Sequence, residues 1–554
     1  MQQLHKGDDL IWMRPGIFVL LMLLSASYIY AQDNYYIRFR DKDNNKYTPG
    51  HPEAYLSARS IERRRAQHIA IREDDLPVTE SYVDSIAVLG AHVVYRLKWD
   101  NAILVRSADT ALTARLRLFP FVKSVAKISG QGPSDVLKKL DAPVKALKAD
   151  QTDTGYYGAA ANQNVMIQAN KLHELGYRGD GVLIAVMDAG FINVPTNPYF
   201  AQLYAEGRVL YTWNYVFDTS YVYSYDEHGA YTFSCMAANI PNQMAGTAPN
   251  AQYLLFVTED VRSEKIIEEY NWASAAEVAD SIGADVFSTS LGYTTFDPVD
   301  SMYNTTYATL DGHSTPIAIA ANKAANKGII VVSSAGNDGQ DAWRYIATPA
   351  DADSGVAVGA VNAAGVIAPF SSIGPPFDSM VKPNICAQGS PAAVVLTDGT
   401  IGYDDGTSFS CPIAAGAFAC LRQAFPTVPN MAIIAAVEQS CNRYTDPDSA
   451  YGYGIPNFGA AYTYLKGLYP AGPAAGSMAY PNPFDNMIDI KVPGTIGIPI
   501  AVDIYNVQGQ KVWAATYAQP PVHNILELTL PYLAQGVYIV HVNDTYTIRM
   551  VKQP

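Results

Sequence analysis

The chain is poor in cysteine, in charge and in long apolar runs. Five cysteines in 554 residues, none closer than nine positions to the next, make neither a disulfide framework nor a CxxC metal site. No HExxH occurs, since His173-Glu174 is followed by Leu-Gly-Tyr, so a helix-borne zinc peptidase is unsupported. The nucleophile elbow GxSxG is also missing. Its nearest approach, Gly312-His313-Ser314-Thr315-Pro316, lacks the second glycine, which speaks against a lipase or esterase. Positive charge is scarce: 38 Lys and Arg face 52 Asp and Glu, a net charge of −14. A non-specific nucleic-acid binder needs a basic face to displace counterions, so that class is excluded. The N-terminal apolar run, residues 17–24 (IFVLLMLL), falls far short of the roughly 20 residues that span a bilayer.

What is present is enough to build cores. Hydrophobic residues are 49% and charged residues 16%, and the length suggests three or four domains. Residues 1–31 fit a secretory signal cut near Ala31. Asp8 and Asp9 sit where a positive segment belongs, and a start at Met13 gives the better signal. Residues 32–128 read as a small α+β domain of βαββαβ order, opening with the alternating strand YYIRF (35–39) and an Arg-rich helix over 53–68. Residues 129–164 are polar and Gly-containing, an exposed linker. From 165 to 468, apolar strands at 182–188, 253–257, 285–291, 328–334 and 355–361 alternate with helical stretches at 261–282, 311–327, 407–424 and 429–440. That pattern means an α/β domain whose parallel sheet is covered on both faces. Residues 479–554 hold five or six short alternating strands, a small all-β sandwich. Charge is unevenly spread: residues 32–128 carry 16 basic and 12 acidic side chains, and residues 165–470 carry 12 and 29. The two parts should attract, with a strength that falls as salt rises.

Three stretches in the α/β region carry chemistry only when taken together. Val186-Met187-Asp188-Ala189-Gly190 ends a strand in a carboxylate, which alone is a surface turn. Asp226-Glu227-His228-Gly229 leads into an apolar helix, and His228 is one of three histidines in the domain, with His173 and His313. Asp405-Gly406-Thr407-Ser408 starts a small-residue helix, where a serine is usually just an N-cap. A hydrolytic serine needs a base for its proton and a carboxylate to orient that base. The chain order Asp188, His228, Ser408 is the one subtilisin uses, distinct from two other orders of the same triad. Ser334-Ala335-Gly336-Asn337 places an amide side chain on a Gly-rich loop after a strand, suited to an oxyanion donor.

On these residues the sequence resembles the subtilisin-like serine peptidases. The matching stretches are AVMDAGF (185–191), HGAYTFSCMAA (228–238), GTAPNAQ (246–252), STSLG (288–292), SSAGNDG (333–339), FSSIGP (370–375) with KPNICAQG (382–389), and GTSFSCPIAAG (406–416). The resemblance implies a three-layer parallel-sheet peptidase domain. Ser408 would be the nucleophile, His228 the base and acid, Asp188 the orienting carboxylate, and Asn337 an oxyanion donor. Ser290-Leu291-Gly292 and Ser334-Ala335-Gly336 would flank the pocket for the substrate's P1 side chain. Two positions depart from the family's habit: Ala189 follows the aspartate where Ser or Thr is common, and Ala230 replaces the usual Thr. Residues 32–128 resemble the inhibitory pro-segment of these peptidases, with a maturation cut expected in the linker near Ala149–Gly158. The tail resembles the C-terminal sorting domain of type IX secretion cargo, on Tyr480-Pro481-Asn482-Pro483-Phe484, VDIYNVQGQKV (502–512) and LAQGVYIVHV (533–542). The implied product is a secreted or surface-attached endopeptidase, whose partners are protein substrates, its own pro-segment and the secretion machinery. A second reading is an inactive binding protein on the same fold, but all four catalytic groups are present. No cofactor is implied and no metal is assigned. Structural Ca²⁺, common in these peptidases, would find acidic loops at Asp351/Asp353 and Asp404/Asp405, without EF-hand spacing. Cys235 and Cys411, near His228 and Ser408 in the chain, read as buried small hydrophobes rather than rival nucleophiles.

Overall fold

The computed structural model describes residues 33–128 and 155–469 and, in the tail, 478–480, 484–492, 499–519, 525–543 and 546–553. The signal segment and residues 129–154 lie outside the described residues, and with them most of the expected maturation stretch.

The first domain is an antiparallel sheet in the order His92–Leu97, Ala102–Ser107, Asp33–Phe39, Val122–Ile128. Side chains alternate across a strand, so Tyr35, Ile37 and Phe39 face the domain's own helices while Tyr36 faces the other way. A helix the sequence pattern left unassigned, Glu80–Ala87, fills that first face with Val83 and Ile86. The order is therefore βααββαβ. The new helix is only eight residues long, too short for its period to stand out.

The central domain is built on seven parallel strands. Their order is Ile385–Ser390, Val356–Asn362, Ile330–Ser334, Val286–Thr289, Leu183–Asp188, Gln252–Val257, Val209–Asn214. Ile184 and Val186 pack on the layer holding helices His228–Ala237 and Thr407–Ala424. Leu183, Ala185 and Met187 pack on the layer holding helices Ile267–Ile282 and Pro316–Asn326. Both faces of the strand are thus dry, and each fully buried aliphatic side chain contributes about 1.5–3 kcal/mol. The linker expected over 129–164 is corrected at its end: helix Ala161–Met166 is part of this domain, with Asn164 buried and Gln163 exchanging hydrogen bonds with Ala393. Polar composition hid it, because its amide N–H groups find their acceptors inside the fold: Asn162 donates to Gln388 Oε1, Gln163 to Ala393 O and Asn164 to Ala245 O.

The first domain docks on the second helical layer. The Tyr36 and Tyr270 rings lie tilted with centroids 4.7 Å apart, and Tyr95 Oη lies 2.7 Å from Asn271 Oδ1 and 2.9 Å from Tyr215 O. Glu277 accepts from the backbone N–H groups of Lys98 and Trp99 at 2.6 and 2.9 Å. Arg63, Arg64 and Lys98 converge on Asp280, and all four residues are buried. Attraction between the two charge totals is therefore the lesser part. Apolar packing and buried pairs, which salt screens weakly, form the contact.

In the tail, the sheet Met478–Tyr480, Met487–Lys491, Ile525–Thr529 faces the sheet Lys511–Tyr517, Ile500–Asn506, Gly536–Val542, Tyr546–Lys552. Ile488, Ile490 and Leu528 meet Val502, Ile504 and Val540 between them, a two-sheet sandwich.

Candidate active site

The carboxyl ends of the parallel strands carry the site, where open α/β sheets bind ligands. Asp188 is the last residue of its strand and is wholly buried. His228 is the first residue of its helix, and its Nδ1 lies 2.6 Å from Asp188 Oδ1. The same oxygen accepts the Ala189 N–H at 2.7 Å, and Thr232 Oγ1 donates to the other oxygen, Oδ2, at 2.8 Å. This approach depends on Gly229: a Cβ there would lie 2.3 Å from Gly190 O and 3.0 Å from Asp188 Cβ, driving the helix off the strand.

Ser408 is the second residue of helix Thr407–Ala424 and is half-buried. Pro412 lies one turn on and has no N–H, so the helix cannot satisfy the Ser408 carbonyl. Ser290 Oγ donates to that carbonyl instead, at 2.7 Å. Ser408 Oγ sits 3.5 Å from Ser290 O, a length that holds the hydroxyl weakly. The His228 ring centroid lies 6.2 Å from that of Phe409, the next residue. Asn337 is exposed, but its amide is fixed. Its Oδ1 accepts both the N–H and the hydroxyl of Thr407 at 2.9 Å, which turns Nδ2 the other way. Gly336, at φ +111°, makes the turn that carries it.

Ser290, Leu291 and Gly292 follow strand Val286–Thr289. Ser334 ends its neighbour, Ala335 and Gly336 follow it, and Ser334 Oγ is 3.5 Å from Leu291 O. The two segments therefore run side by side next to Ser408. All five cysteines are buried and free, and burial raises the pKa of the Cys235 thiol and pushes Cys411 up to about 12. His173 is a core residue, pushed down to about 3 by burial, with Nε2 2.9 Å from Thr247 O.

Sequence reasoning missed Thr232, since a threonine inside an apolar helix carries no pattern. It also missed a group of carboxylates. Among the described residues, Glu259, Glu264 and Glu268 bring oxygens within 4.8 Å of one another, and Tyr293 donates to Glu259 at 2.8 Å. The acidic loops singled out earlier engage their own surroundings: Asp351 accepts Gly312 N–H, Asp353 meets His313, and Asp405 accepts Ser390 Oγ.

The chain is 31% identical over 299 residues to the subtilisin of Bacillus pumilus, a match spanning 53% of this chain and 96% of that one. The subtilase family model matches residues 179–454. The chain is a subtilase. Subtilisin NAT of Bacillus subtilis subsp. natto is 29% identical over 347 residues, 62% of this subtilase and 81% of its relative. The crystal structure of MycP1 with its N-terminal propeptide removed aligns at 23% identity and a TM-score of 0.44, over 55% of this chain and 96% of that one. A propeptide domain of Bacteroidota S8 peptidases matches residues 34–139, and a secretion-system C-terminal sorting domain matches residues 478–553. The subtilase is thus type IX secretion cargo, destined for secretion and the cell surface. Its family and its relatives support a serine endopeptidase.

Proposed function

We propose that this subtilase hydrolyses peptide bonds through an acyl-enzyme formed on Ser408. The observation that carries the reading is the 2.6 Å contact of His228 Nδ1 with buried Asp188, which sets the imidazole's tautomer and leaves Nε2 for the serine. Ser408 Oγ attacks the scissile carbonyl carbon as its proton passes to His228 Nε2. The tetrahedral oxyanion takes hydrogen bonds from Asn337 Nδ2 and the Ser408 N–H, both held before the reaction by the Thr407 anchor and the helix start. The C–N bond then breaks, and the imidazolium gives its proton to the leaving amine. Water, deprotonated by the same imidazole, attacks the ester carbonyl, and as the ester C–O bond breaks the imidazolium returns that proton to Ser408 Oγ. Asp188 stays ionised and balances the transient positive charge.

Segments 290–292 and 334–336 would receive the substrate side chain. The first domain would inhibit until the connecting segment is cut: its last strand ends against the peptidase, where Tyr303 reaches Lys127 O at 3.3 Å. Ser408→Ala tests the assignment. Loss of the nucleophile costs subtilisin about 10⁶-fold, and a comparable fall in casein hydrolysis, with the first domain left uncleaved, is expected here. A folded Ser408→Ala protein that still cleaves casein would reject it.

A further inference from the structure

Asp188 is wholly buried, so every lone pair it keeps ionised must be met inside the protein. One oxygen, Oδ1, serves both His228 Nδ1 and the Ala189 N–H. Ala189 has no hydroxyl to offer the other oxygen, and Thr232 reaches Oδ2 from the His228 helix. The spacing explains the reach: 228 and 232 are one turn apart, on one face of helix His228–Ala237. Thr232 is 1% exposed, so water does not compete for its hydroxyl. That hydroxyl has one proton and two acceptors in range, Asp188 Oδ2 at 2.8 Å and Gly229 O at 3.2 Å. The shorter contact is also the charged one, and hydrogen bonds to ionised groups are about twice as strong as neutral ones.

Resting on the reading of Asp188, His228 and Ser408 above, we propose that Thr232 is a positioning residue of the reaction. Its hydroxyl clamps the carboxylate through Oδ2, so that Oδ1 stays aimed at His228 Nδ1. One rigid helix therefore carries both the base and the clamp on the base's partner. A carboxylate held at one oxygen only would rotate about its Cβ–Cγ bond, and the imidazole would lose its fixed orientation.

The test uses the enzyme expressed as the full chain and allowed to mature. Thr232→Val keeps the shape and removes the donor. The expected result is a kcat about tenfold lower with KM within twofold, because substrate binding does not involve Asp188. Thr232→Ser, which restores the hydroxyl, should return kcat to within about twofold of the parent. Thr232→Ala serves if the valine variant does not fold, and the melting temperature of each variant is recorded beside its kinetics. A kcat for Thr232→Val or Thr232→Ala within twofold of the parent overturns the proposal. So does an equal loss in Thr232→Ser, which would show that methyl packing matters and the hydroxyl does not. Ser408→Ala separates the two readings: activity surviving there defeats the catalytic assignment, whereas its loss together with an unaffected Thr232→Val defeats the clamp alone.

Discussion

Replacing Asp280 with asparagine should loosen the first domain far more than high salt does. Burial alone would raise the Asp280 pKa; Lys98, Arg64 and Arg63 outweigh it and hold the carboxyl well below the usual range. Arg63 Nη2 lies 2.5 Å and Arg64 Nη2 2.9 Å from Asp280 Oδ1, and Lys98 Nζ lies 3.0 Å from Oδ2. Asparagine keeps the shape and one acceptor but removes the charge. The cost is the penalty of leaving Arg63 and Lys98 buried without the carboxylate they contact directly, not the net worth of the pair. Breaking a buried pair costs about 3–5 kcal/mol. The low end applies, because Arg64 keeps Asp75 at 2.8 Å and Arg63 keeps Lys327 O at 3.1 Å. About 3 kcal/mol corresponds to roughly a 10²-fold rise in inhibition constant. The assay is inhibition of the mature peptidase by added segment 32–128, with wild-type and Asp280→Asn enzyme compared at about 0.1 and 1 M salt. Because the pairs are buried, salt should change the wild-type constant by less than about fivefold. An Asp280→Asn constant within threefold of wild type, or a salt effect as large as the mutation's, would refute the reasoning.

Asn337→Leu preserves side-chain size and removes the amide proposed as oxyanion donor. It should lower kcat by about 10²–10³, the figure for the corresponding loss in subtilisin, and leave KM little changed, as steady-state kinetics would show. Thiol alkylation should leave the native enzyme active at about pH 8, because the buried Cys411 thiol, pushed up to about 12, stays protonated there. Mass spectrometry of the intact protein should find all five cysteines unmodified, and labelling of Cys235 or Cys411 before unfolding would contradict their burial.

The parallel sheet was legible because its middle strands are dry on both faces and read as unbroken apolar runs, as in LIAVMD and IVVSS. Its outer strands were not. Val209–Asn214 is half-exposed with mixed side chains, and Ile385–Ser390 contains Gln388 and Gly389, so neither has a period that marks a strand. Edge strands are defined by the neighbour they bond, which local sequence does not carry. The same holds for helix Ala161–Met166, whose amides signal a loop until the acceptors inside the fold are known.

The sequence by itself determined which groups are available and in what order: Asp188, His228, Asn337 and Ser408, each beside a glycine or a turn that frees it from its element. It also shows that neither an HExxH motif nor a GxSxG elbow occurs in the chain. Tertiary structure alone decided what each group touches. Residues 40 positions apart meet at 2.6 Å because a strand end and a helix start converge across Gly229. Thr407 turns the Asn337 amide from 70 residues away. Thr232 reaches the second oxygen of Asp188, and Asp280 gathers three cations from a segment more than 180 positions earlier. Net charge forecast attraction between the first two domains, but the contact is made of apolar packing and a few buried ion pairs rather than of the charge totals. Charge totals add along a chain, whereas dielectric and distance exist only once it is folded.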